Sequence, residues 1–200
     1  MTYRRDIELV FDASSFKPNG QEVTPQQPIN SRIDLWYVAG NRELNPMPLT
    51  VEKDFFLQNI REYCRCLPQA QTTVKELLDA VSASWTKAVE IVTDIQSLNR
   101  NYPTEVSRTS DSSILARSKL LISPLGTMVD IQIDVRAQSS QNWVDVELIP
   151  QCVVTYGERF NEKKMAEFLV NRTSLSGEER KSWGDIVMEL EEKLLARGRK

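Results

Sequence analysis

The sequence contains no histidine, and this absence removes many familiar catalytic sites. The common serine and cysteine triads use an imidazole as general base, and most catalytic zinc sites use one as a ligand. Only three cysteines are present, Cys64, Cys66 and Cys152, so a zinc site of four thiolates cannot form within one chain. We therefore do not expect an enzyme of these classes.

Long apolar runs are also missing, since no stretch of about 18 apolar residues occurs. The first residues, "MTYRRDIELVFD", carry charges at Arg4, Arg5, Asp6 and Glu8, so they do not resemble a secretory leader. An odd cysteine count without a leader favours a reducing compartment over a disulfide framework. The sequence thus predicts a soluble intracellular protein.

The chain also lacks a large net charge of either sign, since its formal net charge is −3. Such a chain has no general attraction for nucleic acid or an anionic membrane. The basic end "LLARGRK" is interpreted as a frayed, solvated terminus, with nucleic-acid binding as the weaker alternative. No nucleic-acid or membrane partner is predicted.

Hydrophobic periodicity predicts two strands and one helix in the first third of the chain. "DIELVF" and "RIDLWYVAG" alternate as strands do. Thr50 is a predicted N-cap, and the helix after it is expected to run to about Leu67 and to end at Pro68.

The remainder predicts a long helix, three strands and two further helices. Thr73 and Glu76 have the spacing of a capping box at the start of the long helix, and Ser176 and Glu179 repeat that spacing before the last one. The three strands are predicted at "SILARSKLLI", "MVDIQIDVR" and "WVDVELI". Their alternation indicates an antiparallel sheet that helices cover on one face. The predicted class is therefore α+β.

The stretch "VTYGERFNEKKMAEFL" raises the possibility of a phosphate loop, because a strand, a glycine turn and a helix follow one another. A phosphate loop needs several converging backbone N–H groups, whereas Gly157 stands alone and Glu158 would repel an anion. Phe160 and Met165 flank Asn161 with the spacing of a hydrophobic staple. Gly157 is predicted to be a joint between packed elements.

Other reactive side chains have a structural interpretation that we favour. Cys152 lies in an apolar strand and is expected to be buried. Asp130 and Asp134 share a strand face and could pair, but the pattern places them on the solvent side. Trp85 and Trp183 fall on apolar helical stripes and are predicted to pack in the core, with Trp85 buried under the sheet of the second half. From the residues alone, the prediction is a binding module.

Several segments together resemble one family. They resemble the carboxy-terminal region of the fungal kinetochore scaffold, the blinkin family of the KMN network. The segments are "RDIELVFDASSF", "INSRIDLWYV", "LTVEKDFFLQNIR", "NYPTEV", "VVTYGERFNEKKMAEFL" and the ending "WGDIVMELEEKLLARGRK".

The resemblance implies two tandem RWD domains, each an antiparallel sheet packed against helices. We expect residues 1–68 to form the N-terminal domain and residues 69–200 the C-terminal domain. The first half looks short of a leading helix. That helix, and the coiled coil that precedes this region in the family, would lie upstream of residue 1.

The resemblance also implies a function in chromosome segregation during mitosis, in the nucleus at the centromere. In the family, this region docks the scaffold onto the MIND complex, and the neighbouring coiled coil binds a Zwint-like partner. RWD domains are similar in fold to ubiquitin-conjugating enzymes. A degenerate conjugating-like protein or cofactor is therefore the alternative function, although no catalytic residue, metal or cofactor is predicted.

The binding surface is predicted at sheet edges, where unpaired main-chain groups can accept a flexible tail. The candidate protein-binding residues are Trp36, Arg117, Lys119 and Trp143. Exposed tryptophans are common interface anchors, and cations that interrupt an apolar strand protect an edge and can contact an acidic tail. The alternative is that Trp143 caps the core and that the two cations are merely solvated.

Overall fold

The computed structural model describes residues 2–3, 6–16, 33–38, 49–139, 144–174 and 179–198. The strands within these ranges are β1 Thr2–Tyr3, β2 Ile7–Val10, β3 Asp34–Tyr37, β4 Thr104–Ser110, β5 Ser113–Ile122, β6 Thr127–Ser139 and β7 Val144–Tyr156. The helices are α1 Val51–Cys66, α2 Val74–Asn101, α3 Glu162–Thr173 and α4 Trp183–Gly198. The α+β class predicted from the sequence is confirmed.

Two sheets organise the described residues. The first has the strand order β1-β2-β3, and the second has the order β4-β5-β6-β7. The pairings β1–β2, β2–β3, β4–β5 and β5–β6 are antiparallel, as the alternating patterns predicted.

Contacts divide the chain into two compact units. Unit 1 comprises Met1–Val89 and Ala137–Asp145, and unit 2 comprises Glu90–Arg136 and Val146–Lys200. This division falls within α2. The assignment of tandem RWD domains at residues 1–68 and 69–200 stays a prediction.

Unit 1 contains a core built by α1, the beginning of α2 and the first sheet. Alternation along β2 buries Ile7 and Leu9 and exposes Val10. The side chain of Trp85 is only 2% exposed, so its predicted burial is confirmed. However, its aromatic neighbour is Tyr37 of the first sheet, 6.4 Å away between ring centroids, whereas a position under the second sheet was predicted.

The starts of α1 and α2 lie where the sequence places them. Thr50 is the N-cap of α1, although its hydroxyl makes no capping hydrogen bond. At α2 the predicted capping box forms, because the backbone N–H of Thr73 donates to a Glu76 carboxylate oxygen at 2.7 Å. The backbone N–H of Glu76 donates in return to the Thr73 hydroxyl at 3.2 Å. Two backbone N–H groups at the start of α2 are thereby satisfied.

Unit 2 contains most of the second sheet, whose buried face comes from regular alternation. On β6, Val129, Ile131, Ile133 and Val135 are all at most 1% exposed. The sequence does not predict the edge strand β4, because its segment "TEVSRTS" contains a single apolar residue. The structure shows this strand to be largely exposed. β7 continues through Pro150, which an edge strand tolerates.

The last helix begins later than predicted. α4 starts at Trp183, and Ser182 pairs with a side chain three residues ahead. The Ser182 hydroxyl donates to Asp185 at 2.7 Å and accepts from its backbone N–H at 3.3 Å. Ser176 lies outside the described residues. The predicted burial of Trp183 is confirmed, and it belongs to an apolar stripe of α4 whose members are all buried: Trp183, Ile186, Val187, Leu190 and Leu194.

Gly157 is the joint that the sequence predicted. Its φ is +95°, and a Cβ there would lie 2.5 Å from both the Gly126 carbonyl oxygen and the Thr127 Cα. Asn161 then caps α3 by accepting a hydrogen bond from the Lys164 backbone N–H at 3.0 Å. The turn from β7 into α3 therefore requires a residue without a side chain.

The Trp85→Ala variant is expected to lose roughly 3–5 kcal/mol of unfolding free energy, because it leaves a large cavity in the core of unit 1. Urea denaturation followed by circular dichroism measures this loss. The matched control is Trp36→Ala, whose ring is half-exposed and whose loss should stay below about 1 kcal/mol. Equal losses in the two variants would contradict the packing described for Trp85.

The Gly157→Ala variant is expected to lose more stability than Gly126→Ala. Both glycines have positive φ, which costs about 1–2 kcal/mol for alanine. Only at Gly157 does the added methyl group also collide with backbone, whereas nothing lies within 4 Å of a Cβ at Gly126. Thermal or urea unfolding of the two variants tests this order, and a greater loss at Gly126 would disprove it.

Candidate protein-interaction site

Alternation along β3 points two neighbouring aromatic residues to opposite faces of the first sheet. Tyr37 faces inward against Trp85, and its hydroxyl accepts a hydrogen bond from Lys53 Nζ at 3.2 Å. Trp36 faces outward and is 53% exposed. A ring of this size left in solvent is an unusual surface residue and a frequent anchor of protein interfaces.

Arg61 of α1 holds the Trp36 ring and the strand beside it. Its guanidinium carbon lies 5.8 Å from the Trp36 ring centroid, within the range of a cation–π interaction. The same guanidinium donates a hydrogen bond to the Leu35 carbonyl oxygen at 2.6 Å. Arg61 therefore satisfies a carbonyl of β3 and makes a cation–π contact that favours this position of the Trp36 ring.

The surface around Trp36 combines apolar area with charge. Glu8 is its direct cross-strand neighbour, and Val10, which is 50% exposed, lies diagonally across on β2. We call Glu8, Val10, Trp36 and Arg61 the Trp36 face. Tryptophan and arginine are the residue types most enriched among energetically important interface positions.

Sequence reasoning identified Trp36 but missed its neighbours on this face. Arg61 is one of several charged residues along α1, and no local pattern marks it. Its contact with Leu35 spans 26 residues of sequence, so it depends on how α1 lies along β3. Val10 could have been assigned to the face from strand alternation, because it follows the inward Leu9.

Arg117 and Lys119 lie on the outward face of β5, both exposed. The prediction that they protect an open edge is wrong, because β5 lies between β4 and β6 in the sheet. Arg117 stands directly opposite Glu105, and Lys119 stands opposite Asp130. Opposite charges at such positions attract each other. Their role in binding stays a prediction.

Trp143 lies outside the described residues, so its predicted role also stays a prediction. The strand that follows it, β7, is at the end of the described strand order and is therefore an edge of the second sheet.

The buried thiols are in environments that suppress their reactivity. Burial raises the pKa of Cys64 to about 12. Burial, together with the nearby Glu162 charge, raises the pKa of Cys152 to about 12 as well. Cys66 is exposed. The predicted burial of Cys152 is confirmed, and both buried thiols are protonated at neutral pH.

The carboxylates do not gather into a metal site among the described residues, where no group of three or more potential His, Cys, Asp or Glu ligands occurs. Asp130 and Asp134 share a face of β6 and are half-buried rather than fully solvated. One Asp134 oxygen accepts a hydrogen bond from Arg136 Nε at 2.8 Å. Of the helices in the described ranges, none has the length and apolar character of a membrane span.

An exposed tryptophan in contact with an arginine, as Trp36 is with Arg61, is a common feature of protein interfaces. Residues 1–92 match the model of the family described as Knl1 RWD C-terminal domain. The match covers 92 of the 200 residues, a little under half of the chain, and includes the whole Trp36 face. The resemblance predicted from the sequence is thereby confirmed for this region. Comparison with curated proteins and with solved structures finds no match.

Cys66 is expected to be the thiol that iodoacetamide modifies in the folded protein at neutral pH, because Cys64 and Cys152 are buried and protonated. Mass spectrometry of the intact chain should show one adduct under native conditions, none for Cys66→Ser, and three adducts for the parent chain in denaturant. Rapid native labelling of Cys64 or Cys152 would contradict their burial.

The raised pKa values of Cys64 and Cys152 predict that the stability of the fold depends on pH. Their folded-state pKa values lie above the unfolded value of about 8.5, so the folded state retains protons that the unfolded state releases. The free energy of unfolding is therefore expected to fall as the pH rises from about 8.5 toward 12. A Cys64→Ala, Cys152→Ala double variant should lose part of this dependence.

Proposed function

We propose that this chain is a non-catalytic interaction module that docks a kinetochore scaffold onto the MIND complex. The observation that carries the proposal is the Trp36 face, an exposed aromatic anchor in contact with Arg61, within the residues that match the Knl1 RWD family. In this proposal the protein acts in the nucleus at the kinetochore, and a coiled coil upstream would bind a Zwint-like partner.

The Trp36 face suits docking because its exposed ring already contacts Arg61 in the unbound chain. A partner that covers Trp36 removes a large apolar surface from water. Less conformational entropy is lost on binding when the ring is already restricted by Arg61. Arg61 also has further N–H donors beyond the one given to Leu35, and these can bind a partner's carboxylate.

The mode of docking follows from the hydrogen bond between Arg61 and Leu35. In an antiparallel pair, alternate residues direct their backbone groups away from the neighbouring strand. The backbone N–H of Val38 donates to the Asp6 carbonyl oxygen, so Val38 is a position whose backbone groups face β2. Leu35 lies three residues earlier in the same register, and its backbone N–H and C=O groups therefore point away from β2. The Leu35 carbonyl is already bonded to Arg61. We therefore favour side-chain contact with the Trp36 face over addition of a partner strand at this edge.

Arg117 and Lys119 form a second proposed contact. Because Glu105 and Asp130 stand opposite them, we expect them to contribute less than Trp36.

The Trp36→Ala variant is expected to weaken binding of the MIND complex by about 30-fold or more, which corresponds to the loss of an interface anchor worth about 2 kcal/mol. Isothermal titration calorimetry measures the change. The matched control is Tyr156→Ala, which removes another half-exposed aromatic ring from unit 2 and should leave the affinity within about twofold.

Further variants separate the remaining candidates. Trp143→Ala and the Arg117→Glu, Lys119→Glu double variant are titrated in the same way, with urea unfolding to confirm that each variant is folded. If none of these variants changes the affinity, the docking surface lies elsewhere.

The conjugating-like alternative predicts a thioester with ubiquitin, for which the exposed Cys66 is the best-placed thiol. A thioester lost in Cys66→Ser would contradict the non-catalytic proposal.

A further inference from the structure

α3 and α4 of unit 2 border an apolar groove of about 140 Å³. The buried side chains of Met165, Leu190 and Leu194 lie along it, and the half-buried rings of Phe160 and Phe168 flank them. We call these five residues the α3–α4 groove. An apolar cavity of roughly 150 Å³ can hold a benzene-sized group, so this groove has room for one aliphatic or aromatic side chain.

Three cations border the groove. Lys164, Lys193 and Arg197 are exposed along its sides, and no carboxylate lines it among the described residues. Lys193 Nζ lies 3.9 Å from the Phe168 ring centroid, so a positive charge is held directly over one wall. The cation–π interaction keeps the ammonium group at the groove and leaves its other side open to an anion.

Glu189, which precedes the groove residue Leu190 on α4, has cationic partners of its own. One carboxylate oxygen of Glu189 accepts a hydrogen bond from Lys181, and the other lies 3.4 Å from a guanidinium nitrogen of Arg172. The hydrogen bond from Lys181 lowers the pKa of Glu189, and the charge of Arg172 lowers it further. Glu189 is thus already paired with Lys181 and Arg172, and the charge of Lys193 also contributes to its lowered pKa. Lys164, Lys193 and Arg197 all remain exposed along the groove, and none of the described residues that line it is a carboxylate.

The positive charge of the groove contrasts with the whole chain, which carries a net charge of −3. The N-terminus of α3 adds to it, since Asn161 and Lys164 at that end also line the groove. An apolar slot for one side chain, bordered by three cations, is complementary to an acidic peptide with a single apolar anchor. A bare anion would leave the apolar slot unused.

We infer that the α3–α4 groove docks an acidic segment of a partner protein. One apolar side chain of the segment enters between Phe160 and Phe168, and its carboxylates bind Lys164, Lys193 and Arg197. The groove lies outside residues 1–92 and shares no residue with the Trp36 face, so this inference does not rest on the proposed function.

The test uses a short fluorescein-labelled peptide that carries several glutamates around a single leucine, titrated with the full chain and followed by fluorescence anisotropy. We expect saturable binding that weakens as NaCl is added, because exposed charges are screened. Lys193→Glu should weaken binding by about tenfold or more. The control Lys75→Glu makes the same charge change at the start of α2 and should alter the affinity by less than about twofold.

Changes in the peptide test the apolar anchor without altering the fold of the protein. Replacement of the leucine by serine is expected to weaken binding by about tenfold, a difference typical of one buried aliphatic side chain. Absence of saturable binding overturns the inference. So does equal weakening by Lys193→Glu and Lys75→Glu, which indicates general charge attraction. Unchanged affinity of the serine peptide overturns it too, because the groove then contributes nothing.

Discussion

The apolar stripe of α2 is the constraint on which the rest of the fold depends. It runs along a helix from Val74 to Asn101, and each unit buries its own part of it. In unit 1, burial of Trp85 brings the start of α2 against Tyr37, and the alternation of β3 then leaves Trp36 no position except the outer face. The exposure of Trp36 is thus a consequence of the burial of Trp85.

The sequence predicts those elements whose signal lies within a few residues. The capping box of Thr73 and Glu76, the alternation of β6 and the turn at Gly157 are all local, and all are confirmed. β4 was missed because its polar residues show no alternation. That omission made β5 look like an edge and gave Arg117 and Lys119 the wrong setting. The start of α4 was misplaced because two serines have the spacing of a capping box.

The candidate site was only half predictable for a related reason. Trp36 is visible from the sequence because it is out of phase with the apolar residues of its strand. Arg61 is not visible, because its role depends on a helix and a strand that are distant in sequence and meet only in the folded chain. The α3–α4 groove is similar. Its cations belong to two helices, and neither helix alone looks basic.

Pro150 has a consequence for self-association. β7 is an edge of the described sheet, and a long exposed edge invites pairing with a strand from another copy of the chain. Proline has no N–H, and an edge strand tolerates it where that group would face solvent. Pro150 lies near the middle of β7 and leaves this strand with one backbone donor fewer. A proline within an edge strand is one of the features by which proteins limit edge-to-edge aggregation, and Pro150 gives β7 this feature.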